Sequence, residues 1–332
     1  MCSGTLKDRV AGTVFGQFLG DAFGTTYEFS SSQNAKCTLK ANADANGFIP
    51  IVGEGPFCLV AGQVTDDTEL AMGLADAVIN FTDVESLWKK AAQNYIKWYQ
   101  SNPFDIGTTT RGALCGLTPE KVRSNAKKKN QASISNGCLM RSFSLGILGY
   151  KLSEELMEEV IVNDCTLTNP NPVAIDAVRV QVFALRSLLK HGKRVVAYKE
   201  ALRVCKTDAI KLCLEAAEKS GDKIPCEGEI VKTDSYRFQG YVGVAIQNGF
   251  YELLNGKSFY QSMLDIVSRG GDTDTTGCIA GALLGAYYGK DNLPKDWIET
   301  VKKCNNPRTA EYDLIDHSKM DDLIQSLYDL VE

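Results

Sequence analysis

Histidine is nearly missing from this chain. Its 332 residues include only His191 and His317, both among polar or charged neighbours and both expected on the surface. A His-based catalytic triad or a His-rich zinc site is therefore a poor reading of this sequence. The eleven cysteines form no C-x-x-C pair and are odd in number, which points to reduced thiols rather than a disulfide framework. No stretch approaches the roughly 20 apolar residues that span a bilayer. The opening Met1-Cys2-Ser3-Gly4 leads into a helical pattern and not a signal peptide, so a soluble, cytoplasmic protein without a membrane partner is expected. A net charge of −5 offers no basic surplus for nucleic acid. The one basic run, Lys127-Lys128-Lys129, sits among Asn and Ser and reads as a solvated loop. No P-loop, Rossmann fingerprint or H-E-x-x-H is present.

What is present is helical periodicity almost throughout. Leu6, Val10, Val14 and Phe18 recur every four residues and predict a first helix. Leu70, Leu74 and Val78 predict a second, and Leu87, Ala91, Tyr95 and Tyr99 a third, opened by a Thr82-x-x-Glu85 capping box. Further helices are predicted at 107–116, 137–150, 153–162, 172–190, 194–205, 208–219, 240–255, 259–268, 275–288, 295–303 and 319–331. Ser258-x-x-Gln261 is a second capping box, and Pro294 suits a first helical turn. Alternating strand patterns are nearly absent, and Ala41 to Gly62 reads as a long loop. With no linker or composition shift, the simplest organisation is a single all-α, multi-helix domain over residues 1–332, taken as a monomer.

Two acidic motifs carry the chemistry: Thr65-Asp66-Asp67-Thr68 and Gly270-Gly271-Asp272-Thr273-Asp274-Thr275-Thr276. Each packs carboxylates and hydroxyls beside a helix start. Taken singly, each reads equally as an N-cap, and Asp66-x-x-Glu69 as a capping box. Taken together, their oxygen donors suit Mg²⁺, Mn²⁺ or Ca²⁺. Gly20-Asp21-Ala22-Phe23-Gly24 reads as a helix stop. Ser133 to Arg141 places small polar residues before a helix, where backbone N–H groups can cradle a phosphate.

The segments GDAFGTTYE, TDDTELA, PFDIGTTTRGAL, SNGCLMR, LTNPNPVAIDA and GGDTDTTGCIAGALLGAYYG occur in the order found in ADP-ribosylglycohydrolases, and the chain resembles that family over roughly residues 5–290. The resemblance implies an all-α fold and hydrolysis at C1″ of the distal ribose of an ADP-ribosyl group. It also implies two bound Mg²⁺ or Mn²⁺ ions. By position, Thr65, Asp66, Asp67 and Asp274 match ligands of one ion; Asp272, Asp274 and Thr275 match those of the other. Glu28 and Asp105 match acidic residues near the reacting centre. Ser135, Asn136, Gly137 and Met140 match the loop that receives ADP-ribose, and Gly107 and Gly271 join that substrate set. One departure stands out: the family has Thr-His where this chain has Thr168-Asn169. Asn169 motivates an alternative, an ADP-ribose reader without turnover; a crystallin-like structural role is a third. The implied partner is an ADP-ribosylated protein or a small ADP-ribose compound, with arginine, serine, poly(ADP-ribose) and O-acetyl-ADP-ribose all open as the acceptor side.

Overall fold

The computed structural model describes residues 4–332. The chain enters through α1 (Leu6–Gly24) and α2 (Ser32–Ala41), then crosses a long irregular segment to α3 (Asp66–Ile79) and α4 (Val84–Gln100). Short helices α5 (Thr108–Leu114), α6 (Pro119–Lys129) and α7 (Phe143–Leu148) lead to α8 (Glu154–Cys165), α9 (Pro172–His191), α10 (Arg194–Val204) and α11 (Asp208–Ala216). A hairpin of β1 (Lys223–Cys226) and β2 (Glu229–Lys232) precedes α12 (Val242–Asn255), α13 (Phe259–Ser268) and α14 (Thr273–Tyr288). Finally come α15 (Lys295–Lys303) and α16 (Met320–Asp329). The all-α expectation holds.

The fold is organised around α1 and α14. α14 and α1 from Val10 onward are buried almost completely, and the two run antiparallel with their backbones in contact. Gly12, Gly16 and Gly20 of α1 face Gly285, Gly281 and Gly277 of α14 so closely that a methyl group on any of them would overlap the opposing carbonyl. Small residues at every fourth position give each helix one flat stripe. Helices α9 and α12 pack on α14, α3 and α7 close the other flank, and α15 and α16 cover α1. Phe23 stacks on Trp297 at 4.2 Å between ring centroids, and the Trp297 indole donates to the Ile49 carbonyl at 2.9 Å, pinning the long irregular segment to α15. No described helix is long and apolar enough to cross a membrane.

Several local expectations shift. The capping box of α4 is Asp83 with Ser86, one residue beyond Thr82 and Glu85. Residues 137–150 split into a 3₁₀ turn at Asn136–Cys138 and α7, because Arg141 turns inward to bind buried carbonyls. The lysine run is the exposed last turn of α6, where cations complement the helix dipole. Helix α2 escaped notice because only Ala35 and Leu39 of its ten residues are buried. The β-hairpin did too: its turn is Glu227-Gly228, both at positive φ, without the usual Asn-Gly. Among the histidines, His191 is exposed as expected, but His317 is buried edge-on against Phe18 with Nδ1 2.8 Å from the Val301 carbonyl. Burial lowers its proton affinity.

Candidate functional site

Because α1 and α14 are antiparallel, the C-terminal end of α1 lies beside the N-terminal end of α14. The start of α3 meets them there. Carboxylates remote in sequence thus converge, at a point where two helix N-termini present their positive dipole ends. Asp21, Asp67 and Asp274 each bring an oxygen within 4.8 Å of the others, and so do Glu28, Asp105 and Asp274. Asp274 belongs to both groups.

Asp21 is the residue that sequence reasoning missed. Its carboxylate, fully buried, accepts from the Thr65 amide at 3.1 Å and the Thr68 amide at 3.1 Å, so it caps α3 from a neighbouring helix. The motif from Gly20 to Gly24 does end α1, whose last residue is Gly24, but Thr25 and not a glycine is the C-cap. Thr65 occupies the N-cap position of α3 without supplying the cap bond; its hydroxyl lies 3.1 Å from Asp21 Oδ1 and 2.9 Å from Asp67 Oδ2. The Asp66/Glu69 capping box is not formed. Glu69 instead accepts from the Trp98 indole at 2.6 Å and from Arg308 Nε at 2.7 Å. Arg308 also donates to the carbonyls of Ser101 and Asn102, which holds the turn leading to Asp105.

The second motif is set by its glycines. Gly270 and Gly271 adopt φ of +71° and +83°, and a side chain on either would press on neighbouring backbone. Gly271 exchanges backbone hydrogen bonds with the Phe29–Ser30 segment, at 2.8 and 2.9 Å, which fixes Glu28 beside the second motif. Asp272 accepts from Asn136 Nδ2 at 2.7 Å, and Asp274 accepts from the Thr275 amide at 2.9 Å.

Crowding of like charges away from water governs this site. Burial pushes the Asp21 carboxyl up to about 7. Burial, reinforced by Asp272, Asp105 and Asp67, pushes Glu28 up to about 10. Asp66, Asp67 and Asp274 are held well above the usual carboxylate range, first by burial and then by a neighbouring carboxylate, Asp105 for Asp66, Asp21 for Asp67 and Glu28 for Asp274, and burial raises Asp105 as well. Glu28 Oε2 is sealed from solvent with no hydrogen-bond partner. An all-oxygen donor set with an orphaned carboxylate oxygen fits hard divalent cations, which would relieve the repulsion.

The cluster opens into a cleft of about 410 Å³. Glu28, Asp66, Asp105, Asp272 and Thr275 line its acidic end; Gly107, Ser135, Asn136, Gly137 and Met140 line the rest. Thr65, Asp67 and Asp274 lie deeper, buried beneath it. Asn169 is also fully buried; its amide donates to Ser135 O and Ser135 Oγ, both at 3.0 Å, so it holds the cleft loop from behind. The phosphate cradle is only partly available in the form anticipated, because the Asn136 N–H is already committed to the Gly240 carbonyl at 3.0 Å. Arg141, fully buried, fixes this loop by pairing with Asp164 at 3.1 Å and donating to the Gly137 carbonyl at 3.3 Å.

The family profile for ADP-ribosylglycohydrolase matches residues 3–331. Protein L543 of Acanthamoeba polyphaga mimivirus, assigned by its name to the ADP-ribosyl glycohydrolases, is 31% identical over 312 residues, covering 89% of this chain and 91% of its own. The ADP-ribosylarginine hydrolase Tri1 of Pseudomonas putida is 26% identical over 331 residues, covering 97% of this chain and 82% of its own. A solved structure titled as an ADP-ribosylglycohydrolase-related protein complex superposes with a TM-score of 0.71 at 24% identity, over 98% of this chain and 99% of that one; it shares the fold. Matched from its first helix to its last, the chain belongs to the ADP-ribosylglycohydrolase family.

Proposed function

We propose that the protein is a divalent-cation-dependent ADP-ribosyl hydrolase, which cleaves the bond between C1″ of the distal ribose and a modified side chain and releases ADP-ribose. The observation that carries this reading is the merging of both acidic motifs into one buried oxygen cluster at the end of an open cleft. Asp66, Asp67, Asp272 and Asp274, with Thr65 and Thr275, would hold two Mg²⁺ or Mn²⁺ ions. Bound there, these ions would supply Lewis-acid polarisation of ribose hydroxyls and of a water molecule.

The remaining steps belong to the chain. Cleavage builds positive charge at C1″, and the surrounding carboxylates favour that charge electrostatically. Glu28 and Asp105 flank the cluster on the cleft side and are the groups placed to take the proton from attacking water or return it to the leaving group. The loop from Ser135 to Gly137, held by Asn169 and Arg141, gives the nucleotide a polar surface. Asn169 acts from behind this loop, so its replacement of histidine leaves the acidic end of the cleft intact.

The test is release of ADP-ribose from a panel of ADP-ribosylated peptides and O-acetyl-ADP-ribose. Activity should vanish in excess chelator and return with Mg²⁺ or Mn²⁺. Binding of ADP-ribose without any release would favour the reader instead.

A further inference from the structure

We infer that Arg308 is a positioning residue for Asp105: its guanidinium ties the turn that leads to Asp105 to the first turn of α3, which carries Asp66 and Asp67. The inference rests on the hydrolase reading above and concerns what keeps the cleft-side carboxylate in its working place.

Asp105 stands on backbone with little support of its own. Helix α4 stops at Gln100 and α5 begins at Thr108. Between them, among the described residues, no backbone–backbone hydrogen bond reaches residues 102–106. Asn102 turns the chain at a φ of +51°, and Pro103 after it has no N–H to donate. Phe104 leans on Phe57, with ring centroids 5.3 Å apart, but Phe57 itself sits on a short 3₁₀ turn in the long irregular segment. Yet an oxygen of Asp105 lies within 4.8 Å of oxygens of Glu28 and Asp274, a place that like charges oppose. Such a carboxylate needs an anchor.

Arg308 supplies it from a 3₁₀ turn, Pro307–Ala310, beyond the last of the sequence motifs. Its buried guanidinium uses all three nitrogens. One terminal nitrogen donates to the Ser101 carbonyl at 3.2 Å and the Asn102 carbonyl at 3.4 Å, and the other to Ser101 Oγ at 2.7 Å. Nε donates to Glu69 Oε1 at 2.7 Å. The second oxygen of Glu69 accepts from the Trp98 indole at 2.6 Å, which draws the last turn of α4 to the same carboxylate. Glu69 lies three residues after Asp66, on the same face of α3. A guanidinium is planar and rigid, so partners on its two sides keep a fixed spacing; an ammonium could serve one side but not both. The separation of Asp105 from Asp66, both of which line the cleft, is thereby set by a residue that touches neither. Closing the end of α4 does not require this bridge, because the Ser101 N–H already bonds the Lys97 and Trp98 carbonyls.

The experiment is a double-mutant cycle on kcat for ADP-ribose release in saturating Mn²⁺. Its substrate is an arginine-linked or a serine-linked ADP-ribosyl peptide, whichever the wild type turns over faster. Arg308→Lys keeps a cation against Glu69 and gives up the fork. It should lower kcat about 10- to 100-fold, the scale of a catalytic group misplaced by roughly 1 Å. KM, the Kd of free ADP-ribose and Mn²⁺ affinity should stay unchanged, which also shows that the variant is folded. In an Asp105→Asn background, followed by single-turnover kinetics, the same change should leave kcat unaltered, since nothing remains for Arg308 to position. Ser101→Ala removes one acceptor of the fork and leaves Glu69 paired. It should lower kcat about two- to fivefold, as for one lost hydrogen bond, and again only when Asp105 is present. Arg308→Lys with wild-type kcat, or with the same loss whether or not the Asp105 carboxylate is there, overturns the inference and leaves the hydrolase reading standing. If Arg308→Lys does not fold, Ser101→Ala decides by the same two criteria. No release by the wild type from either peptide, with ADP-ribose still bound, overturns both.

Discussion

Replacing Gly281 of α14 by alanine tests the packing on which the site depends. A methyl carbon there would stand 2.9 Å from the Gly16 carbonyl carbon, and the reciprocal change at Gly16 would stand 2.6 Å from that of Gly281. Non-bonded carbons rest about 3.5–4.0 Å apart, so α1 and α14 would have to separate by roughly 1 Å. Overpacking of this kind costs about 1–3 kcal/mol, and lost contact along the seam adds to it. Alanine's better helix propensity returns up to about 1 kcal/mol. A net loss of about 1–2 kcal/mol is expected, a fall in Tm of about 1.5–3 °C for a chain of this length. Gly249→Ala is the matched control. It lies on α12 and faces α14, yet its methyl group would meet Ala280 Cα at 3.5 Å and Ala280 Cβ at 3.6 Å, ordinary contacts. There the propensity gain should dominate and Tm should rise by about 1–2 °C. Both variants are read by calorimetric melting, with divalent-cation titration as a second measure. Gly281→Ala should also bind Mn²⁺ more weakly, because Asp272 and Asp274 travel with α14 while Asp21 stays with α1. If Gly281→Ala melts above the wild type, as Gly249→Ala should, the close helix contact is wrong.

Three further outcomes follow from the site. In metal-free buffer, carboxyls such as Asp21 have folded-state proton affinities above their unfolded values. Their contribution is therefore fully present below about pH 4 and is lost as pH rises, through about 7 for Asp21. Denaturation by urea should show this cluster's share of stability falling with pH by up to about 1.4 kcal/mol per unit for each such group, and saturating Mg²⁺ should abolish that fall; the same pH profile with and without Mg²⁺ would contradict the cluster. Asp274→Asn removes a carboxylate shared by both groups of acids, so ADP-ribose release should disappear and Mn²⁺ affinity drop; near-normal turnover at saturating metal would refute its assignment. Arg141→Met strands the Asp164 carboxylate, which is fully buried, and should cost about 3–5 kcal/mol in urea denaturation. A loss below about 1 kcal/mol would mean the pair is not buried in solution.

Most helices could be read from apolar spacing, because a helix that packs on one side repeats every three to four residues. Those that escaped had little apolar surface, as with α2, or a charged tail, as with α6. The GxxxGxxxG stripes of α1 and α14 were present in the sequence, but a glycine records only that something comes near and not what. Asp66, Asp67, Asp272 and Asp274 were named from their motifs and Glu28 and Asp105 from the resemblance, and the fold brings these carboxylates together. Asp21 was not, because an aspartate near a helix end has the same local signature whether it caps its own helix or another. Arg308 escaped for a similar reason: its partner Glu69 is 239 residues away.

The sequence alone determined the donor chemistry, oxygen with hardly any imidazole, and the helical character of nearly every segment, since both depend on residue type and short-range spacing. Tertiary structure alone decided that two capping motifs become one cluster. Glycine lets α1 and α14 touch while running in opposite directions, so the end of one meets the start of the other and their carboxylates share a single buried space.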